Sequence, residues 1–295
     1  MDLFLARLFD GLGSGATYAA LAMALVLIFK ATTLINFAQG ELALLGAYLV
    51  LVLGVEQGLP IVVAVFLAMV ITAVFAAGLE RVFIRPFDPS DHLPLVIVTL
   101  GLFLGINSVA GVIWGHGARD LPSMFPDGNL YSRGVANLSW VTVGNVATVL
   151  ATAGALYLLL NKTKIGLAFR AVSSNLESSE LVGINIGRTL QFGWALAAAV
   201  GTLGAALAIL TLFLEPTVML RVLIFAFAAA ALGGLDSLGG AVVGGFVVGL
   251  VRSMGVGYLD FVPSELGVGA AVVVIIAVLL IRPTGLFGSE QVQRV

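Results

Sequence analysis

The feature that most constrains this chain is its series of long apolar stretches without a charged residue. An α-helix needs about 20 predominantly apolar residues to cross the hydrocarbon of a bilayer. Six runs lack Asp, Glu, Lys and Arg: 11–29, 57–79, 92–118, 134–161, 189–214 and 266–281. The last run is short, but it extends back to Phe261 across Glu265. These runs predict a chain that repeatedly spans a membrane.

Composition supports the same class of protein. Charged residues make up 10% of the 295 residues, against roughly 25% in a soluble domain. A soluble enzyme of this composition would expose large apolar patches, and a disordered chain needs low hydrophobicity and high charge. The sequence therefore excludes both of these classes.

Two further apolar regions contain one acidic residue each. Glu41 lies within residues 31–55, and Asp236 lies within residues 222–251. We expect one crossing at 37–55 and either two short crossings or a re-entrant pair in 222–251. The prediction is an all-α polytopic integral membrane protein, with residues 1–295 forming a single transmembrane domain. It is a bundle of eight or nine transmembrane helices with broken or re-entrant segments.

The positions of the basic residues predict the orientation, because Lys and Arg collect in cytoplasmic loops. Five basic residues fall on one side: Arg7, Arg119, Arg133, Arg221 and Arg252. Nine fall on the other: Lys30, Arg81, Arg85, Lys162, Lys164, Arg170, Arg188, Arg282 and Arg294. The bias places the N-terminus outside the cell and the C-terminus inside it.

Several kinds of chemistry are missing from the sequence. A nucleotide-binding P-loop contains a Gly-Lys pair, but the three lysines follow Phe29, Asn161 and Thr163. The chain has no cysteine, two histidines and a net charge of −2. We therefore predict no catalytic residue, no metal site, no cofactor in this chain and no nucleic-acid partner. If the protein moves a substrate uphill, the energy comes from a partner or an ion.

Polar residues at the start of the second span are candidates for a translocation path. Asn36, Gln39 and Glu41 stand together there, and a carboxylate within a membrane normally faces protein or water. The alternative is a helix start at the cytoplasmic surface, with Asn36 as the cap and Glu41 favoured by the helix dipole. Asn107 is a fourth candidate, and bonding between helices is its alternative role.

The glycine-rich stretch 233–240 offers a second place where the path could be interrupted. Broken helices are common in transporters, where their exposed backbone lines a cavity. Asp236 is therefore another candidate path residue. The alternative is that Asp236 caps the helix that follows, in a plain turn.

Small residues at a spacing of four predict close helix packing. The pairs are Gly11/Gly15, Gly101/Gly105, Gly240/Gly244 and Gly245/Gly249.

Two loops are long enough for functions of their own. The outer loop, about 115–140, contains prolines and acidic residues typical of an ordered cap. The inner loop, about 161–188, mixes apolar and polar residues in a loosely amphipathic pattern, which predicts a short helix. A long loop of this kind is a natural docking site for a soluble partner.

These features together resemble the permease subunits of branched-chain amino acid ABC transporters, most closely the LivH-type members of the LivH/LivM family. The resemblance covers about residues 11–288. It rests on Gly15–Leu21, Asn36–Glu41 with Gly46–Tyr48, Phe169–Val172, Glu180–Asn185, the glycine-rich run 233–245 and Arg282–Gly288.

The resemblance implies an importer driven by ATP in a bacterial inner membrane. Its other parts would be a LivM-type permease, two cytoplasmic ATPases (LivG- and LivF-type) that bind ATP and Mg, and a periplasmic amino-acid-binding protein. By analogy, the inner loop holds a coupling helix, with Arg170, Glu177, Glu180 and Gly183 as candidate contacts to the ATPases. Urea or short amides are alternative cargoes in the same family. An ion-coupled transporter and a passive channel are the alternatives from other classes.

Overall fold

In the computed structural model, the chain folds into long helices that run back and forth across a bundle. The structure describes residues 1–87, 92–258, 269, 272, 273, 276–278, 280, 282 and 284–288. The side chains of His92 and Glu177 are outside this description. In chain order, the described elements are α1 (Asp2–Thr32), α2 (Gln39–Leu51), α3 (Ile61–Leu79), α4 (His92–Trp114), β1 (Asn129–Arg133), β2 (Ala136–Ser139), α5 (Trp140–Lys162), α6 (Lys164–Ser174), α7 (Leu176–Leu181), α8 (Ile186–Ile209), α9 (Val218–Gly233) and α10 (Leu238–Tyr258). Short π-helical segments extend α2 through Val52–Glu56 and α3 through Glu80–Ile84.

Seven of the described helices are long and apolar enough to cross a membrane, namely α1 to α5, α8 and α10. The apolar helix α9 is shorter, with 16 residues. The region 222–251 therefore contains two helices, and the predicted span at 266–281 lies mostly outside the described residues. The predicted class, a helical protein that passes the membrane several times, is confirmed.

Successive helices alternate in direction, which gives the bundle two distinct ends. At one end α6 and α7 lie beside the end of α1, where the Ser173 hydroxyl donates to the Lys30 carbonyl. We call this the α6–α7 end. At the other end, the hairpin of β1 and β2 lies beside the start of α1, and Arg119 pairs with Leu214 through two backbone hydrogen bonds of 3.0 and 2.8 Å. We call this the hairpin end.

Glycines allow α1 and α10 to touch backbone to backbone. A Cβ atom on Gly249 would lie 2.4 Å from the Gly15 Cα, and one on Gly245 would lie 2.5 Å from the Ala19 Cα. The prediction of close packing is thus confirmed for Gly11/Gly15 and Gly245/Gly249.

The other two predicted glycine pairs differ from each other. Gly240 and Gly244 pack against the backbone of α9, where an added Cβ would lie 2.2 Å from the Gly233 oxygen and 2.1 Å from the Ala229 oxygen. Gly101 and Gly105 show no such contact, because none of the described atoms lies within 4 Å of a Cβ added at either position. Both lie on α4, a helix that is largely exposed along its length, so no other described helix uses their small size.

The turn between α9 and α10 lies at the α6–α7 end. Gly234 has a φ of +103°, which favours glycine there. The Ser237 hydroxyl accepts a hydrogen bond of 3.0 Å from the Gly240 N–H, which caps α10. In the turn, Asp236 interacts electrostatically with Lys30. Ser237 thus occupies the cap position of α10, which was one of the two roles that the sequence left open for Asp236.

The outer loop contains an antiparallel hairpin that the sequence did not predict. β1 and β2 pair from Asn129↔Ser139 to Arg133↔Ala136. Gly134, with a φ of +56°, takes the first of the two turn positions, which suits a tight hairpin turn. The hairpin delays α5 to Trp140, six residues after the start of the charge-free run.

The inner loop forms two short helices, where its amphipathic pattern predicted one. Phe169 and Val172 of α6 are buried against the bundle, whereas Ile165 and Leu167 are exposed. The Thr163 and Asn175 side chains cap the two helices by accepting from the Gly166 and Ser178 N–H groups. One face of α6 is therefore anchored and the other faces outward.

We predict that Gly249→Ala destabilises the protein by about 1–3 kcal/mol, because the added methyl group overpacks a backbone contact. Gly101→Ala is the matched control, since its methyl group contacts none of the described residues and alanine is the better helix former. Thermal unfolding in detergent, followed by size-exclusion chromatography, measures the difference. Equal melting temperatures for the two variants would contradict the packing described here.

Candidate functional site

The chain between α1 and α2 turns back into the bundle. A Cβ atom on Gly193 of α8 would lie 3.0 Å from the Ala31 Cβ, close to the end of α1. One on Gly201 would lie 2.5 Å from the Gln39 Nε2 and 3.8 Å from the Ala24 Cβ. Since a helix rises about 1.5 Å per residue, Gln39 is roughly 10 Å deeper in the bundle than Ala31. The first residue of α2 is thus level with the middle of α8.

A local turn leads into this buried helix start. The Asn36 Oδ1 accepts from the Ala38 N–H at 3.0 Å, and the Asn36 carbonyl accepts from the Gln39 N–H at 3.2 Å. Asn36 therefore satisfies backbone donors ahead of the helix. Its own Nδ2, which is buried, has no hydrogen-bond partner among the described residues.

Gln39 connects α2 to α8. Its Nε2 donates to the Ala197 carbonyl at 3.0 Å, and this carbonyl belongs to the middle of α8. The Gln39 Oε1 is buried and has no partner in the described ranges.

Glu41 lies two residues after Gln39 and is fully buried. Its Oε2 accepts from the Asn107 Nδ2 at 3.0 Å, and the same nitrogen donates to the Pro216 carbonyl at 2.8 Å. One amide thus joins α2, α4 and the segment before α9. The Glu41 Oε1 has no partner in the part of the chain that the structure describes.

The structure brings four of the five candidate path residues together around the first turn of α2. We call Asn36, Gln39, Glu41 and Asn107 the polar column. Asp236 is not part of it, because it lies in the turn between α9 and α10 at the α6–α7 end. The sequence also allowed α2 to begin at the cytoplasmic surface. The depth of Gln39 in the bundle is inconsistent with that alternative.

Other buried polar groups near α2 were not among the predicted site residues. Thr202, Trp194 and Tyr48 are buried, and the Thr202 hydroxyl, Trp194 N–H and Tyr48 hydroxyl have no partner within the described residues. Thr202 faces α2, since a Cβ on Gly46 would meet its hydroxyl at 2.2 Å. Positions 194, 197, 201 and 202 fall on one helical face, and this spacing is the signal that could have found them. Buried polar groups without partners are rare in folded proteins, so each of these three calls for an explanation, such as an ordered water.

A cavity of about 370 Å³ opens next to the polar column, at the α6–α7 end. Its lining comes from the end of α1, the segment 33–36, the end of α3, the start of α4, α6, α7 and the start of α8: Ile28, Ala31, Thr32, Thr33, Leu34, Ile35, Asn36, Glu80, Ile84, Arg85, Phe87, Leu95, Thr99, Val172, Ser173, Ser174, Asn175, Leu176, Ile186, Gly187, Leu190 and Trp194. Asn36 thus belongs to both the column and the cavity.

An ion pair holds one wall of this cavity. The Arg85 guanidinium donates to Glu80 at 2.7 and 3.4 Å, and Glu80 is fully buried. Arg85 also donates to the Gly187 carbonyl at 2.9 Å and to the Gln191 Oε1 at 3.3 Å, which links the end of α3 to the start of α8.

The candidate coupling residues lie on the outward side of the α6–α7 segment. Arg170, Glu180 and Gly183 are exposed, and Gly183 has a φ of +84°. The backbone of Glu177 is in α7, and its side chain lies outside the described residues. Leu181 and Val182, which the sequence did not single out, are 88% and 75% exposed. This adjacent pair is therefore a candidate contact surface for another protein.

We predict that Asn107→Ala destabilises the protein by about 1–3 kcal/mol, because it leaves the buried Glu41 carboxylate and the Pro216 carbonyl without their donor. Combining it with Glu41→Gln should recover part of the loss, since a neutral amide is less costly to leave unpaired than a carboxylate. Asn161→Ala is the control, because that side chain bonds to the Tyr157 carbonyl on an exposed surface. A double-mutant cycle on thermal stability in detergent measures the coupling. Additive effects would show that Glu41 and Asn107 do not interact.

Comparisons with known proteins agree with this architecture. The family described as "Branched-chain amino acid transport system / permease component" matches residues 7–281. The chain is 28% identical to the high-affinity branched-chain amino acid transport system permease protein LivH of Escherichia coli (strain K12), over 99% of this chain and 98% of LivH. It is 26% identical to BraD of Pseudomonas aeruginosa, over 99% and 98% of the two chains. It is 29% identical to a probable LivH of Methanocaldococcus jannaschii, over 92% and 88%.

Among solved structures, the chain is similar to PsaBC from Streptococcus pneumoniae in complex with Fab. The TM-score is 0.48 and the identity is 14%, over 96% of this chain and 93% of that chain. A likeness at this level carries no argument about function. Because the family match covers residues 7–281 of 295, the chain belongs to the family of branched-chain amino acid transport permease components.

Proposed function

We propose that this chain is the LivH-type permease subunit of an ATP-driven importer that moves branched-chain amino acids into the cytoplasm. The observation that carries the proposal is the polar column on the buried start of α2, which continues into a cavity at the α6–α7 end. The same end presents an outward-facing helical segment. The proposed route through the bundle and the proposed docking surface for the ATPases therefore lie next to each other.

The relatives supply the cargo of the proposal, and the family resemblance found in the sequence supplies its partners. LivH and BraD are named as high-affinity branched-chain amino acid transport permeases. The complete importer would contain a paralogous LivM-type permease, two ATPases of the LivG and LivF types and a periplasmic amino-acid-binding protein. ATP and Mg would bind to the ATPases, and this chain would be a permease component rather than an enzyme.

The α6–α7 end is the cytoplasmic end in this proposal. It holds most of the basic residues in the described ranges, and basic residues accumulate in cytoplasmic loops. In a bacterial inner membrane, this orientation places the N-terminus in the periplasm and the C-terminus in the cytoplasm. The hairpin end then faces the binding protein, and α6 and α7 face the ATPases.

Contacts of α6 give a physical route for coupling. The Phe169 ring packs against α8, where a Cβ on Gly193 would lie 2.9 Å from it. Ser173 bonds to the Lys30 carbonyl near the end of α1. A push on the outward face of α6 is therefore delivered to α1 and α8, the helices that flank the start of α2. Moving them relative to α2 would open or close the polar column.

We predict that Leu181→Ser combined with Val182→Ser abolishes copurification with the ATPases and reduces ATP-driven leucine uptake at least tenfold. Both side chains are exposed, so their replacement removes apolar contact area without disturbing the fold. Leu130→Ser in the hairpin is the matched control, because Leu130 is also exposed but lies at the other end. Pull-down of the ATPases and uptake into liposomes are the measurements. Full uptake by the double variant, with its ATPases still bound, would contradict docking at α7.

A second experiment separates the classes of transporter. Co-expression with candidate ATPases, followed by reconstitution, should give uptake that requires ATP. Uptake by the chain alone under an ion gradient would indicate an ion-coupled transporter, and downhill flux without ATP would indicate a channel. The ligand of the cognate binding protein then identifies the cargo. Urea or a short amide there would replace branched-chain amino acids and leave the transporter class intact.

A further inference from the structure

The motif Arg282–Gly288, which the proposed function does not use, forms a tight turn. Arg282 and residues 284–288 belong to the described part of the chain. The Gly285 N–H donates to the Arg282 carbonyl at 2.9 Å, and the Arg282 Nη1 donates to the Leu286 carbonyl at 3.3 Å. Gly285 has a φ of +81°, a conformation that favours glycine. We call residues 284–288 the 284–288 turn.

Two backbone hydrogen bonds attach the 284–288 turn to the end of α9. The Leu286 N–H donates to the Leu232 carbonyl at 2.8 Å, and the Phe287 N–H donates to the Gly233 carbonyl at 3.0 Å. The last four carbonyls of a helix have no donor within the helix, so these bonds satisfy two of them. Since α9 ends at the α6–α7 end of the bundle, the 284–288 turn lies there as well.

Glycines bring this turn and the end of α9 into direct backbone contact. A Cβ atom on Gly285 would lie 2.6 Å from the Gly234 nitrogen, and one on Gly234 would lie 2.6 Å from the Gly288 nitrogen. In such a contact the two backbones touch each other directly, rather than through flexible side chains. We therefore expect the 284–288 turn and α9 to move as one body.

α9 in turn borders the polar column. A Cβ atom on Gly40 of α2 would lie 3.0 Å from the Leu223 Cδ2 of α9. The Pro216 carbonyl, two residues before α9, accepts from the same Asn107 amide that donates to Glu41. A displacement of α9 therefore acts on the start of α2 and on the hydrogen bonds of Asn107.

The outward side of the 284–288 turn is apolar. Leu286 and Phe287 are 38% and 55% exposed, although their backbone N–H groups bond to α9. The end of α1 connects this pair to the α6–α7 segment. Asp236, in the turn that follows α9, interacts electrostatically with Lys30, and the Ser173 hydroxyl of α6 donates to the Lys30 carbonyl. The exposed pair thus continues the surface proposed to meet an ATPase.

We propose that Leu286 and Phe287 form a second contact for the cytoplasmic ATPase, and that the 284–288 turn passes the movement of the ATPase to α9. This inference rests on the proposed function, which supplies the ATPase. A membrane surface would also accept two apolar side chains. Rigid attachment to a helix beside the polar column serves the transmission of a stroke and is not needed for contact with lipid, which favours the ATPase.

The second contact complements the first one at α6 and α7. Movement of α6 is delivered to α1 and α8, whereas movement of the 284–288 turn is delivered to α9. Together, the two contacts reach three of the helices around the start of α2. An ATPase that holds both contacts can therefore shift these helices relative to one another.

Replacing the two exposed side chains separates coupling from assembly. Leu286→Ser combined with Phe287→Ser keeps both backbone N–H groups, so the turn stays attached to α9. We expect the ATPases still to copurify through α7, whereas leucine uptake per ATP hydrolysed falls about tenfold in liposomes. Val135→Ser, an exposed change at the hairpin end, should leave this ratio unchanged. An unchanged ratio in the double variant would overturn the role of the turn in coupling.

Photocrosslinking from position 287 tests the contact itself. The chain has no cysteine, so Phe287→Cys carries the only thiol of this subunit and is labelled with a benzophenone maleimide before the importer is assembled. On illumination, we expect a covalent product with an ATPase subunit. Leu130→Cys, exposed in the hairpin at the other end, is the matched control and should give no such product.

The outcomes distinguish this inference from the proposed function. Crosslinks from position 287 to lipid alone, or none to an ATPase, overturn the second contact when the ATPases copurify and drive uptake. In that case the proposed function stands. If no ATPase copurifies with the unaltered chain, the proposed function fails, and the second contact fails with it.

Discussion

The interruption between α1 and α2 is the constraint on which the other features of the bundle depend. Inside a membrane, backbone and side-chain polar groups must find partners within the protein or in an enclosed cavity. The chain places Asn36, Gln39 and Glu41 at such a depth, so other helices must surround them. The Ala197 carbonyl of α8 and the Asn107 amide of α4 supply hydrogen bonds, and Pro216 joins the same network. The arrangement of these helices therefore follows from the need to enclose the start of α2.

Close glycine contacts make this enclosure compact on one side. The other side has more room to adjust. α1 and α10 meet backbone to backbone at Gly15 and Gly249, and Gly201 of α8 admits the Gln39 side chain. Helices in such contact have little room to slide past each other, because even one added methyl group would clash. The α6–α7 side is different, since a cavity separates its helices from the start of α4. We therefore expect movement to be easiest at the cavity, next to the segment that faces outward.

The sequence predicted the class of fold and singled out the polar residues around the start of α2. It did not show how deep in the bundle these residues lie. Charge-free runs identify spans because crossing a bilayer demands apolar length, and Glu41 was conspicuous within one of them. Whether α2 begins at the surface or inside depends on α8, where the partner of Gln39 lies 158 residues away. The same limit explains Gly101 and Gly105, whose spacing resembles that of Gly11 and Gly15 although none of the described helices packs against them. The exposure of Leu181 and Val182 likewise depends on how α6 and α7 sit against the bundle.

Thiol labelling of Gln39→Cys is the most direct test of the claim that the polar column is the transport route. The chain contains no cysteine, so one introduced thiol gives the only signal from this subunit. In the reconstituted importer, we predict that a small methanethiosulfonate reagent labels this position during ATP turnover and that leucine slows the labelling. Ala22→Cys, in the buried apolar part of α1, should stay unlabelled. Absence of labelling at position 39 in every state, in an importer that still transports, would contradict the claim and leave the column a purely structural network.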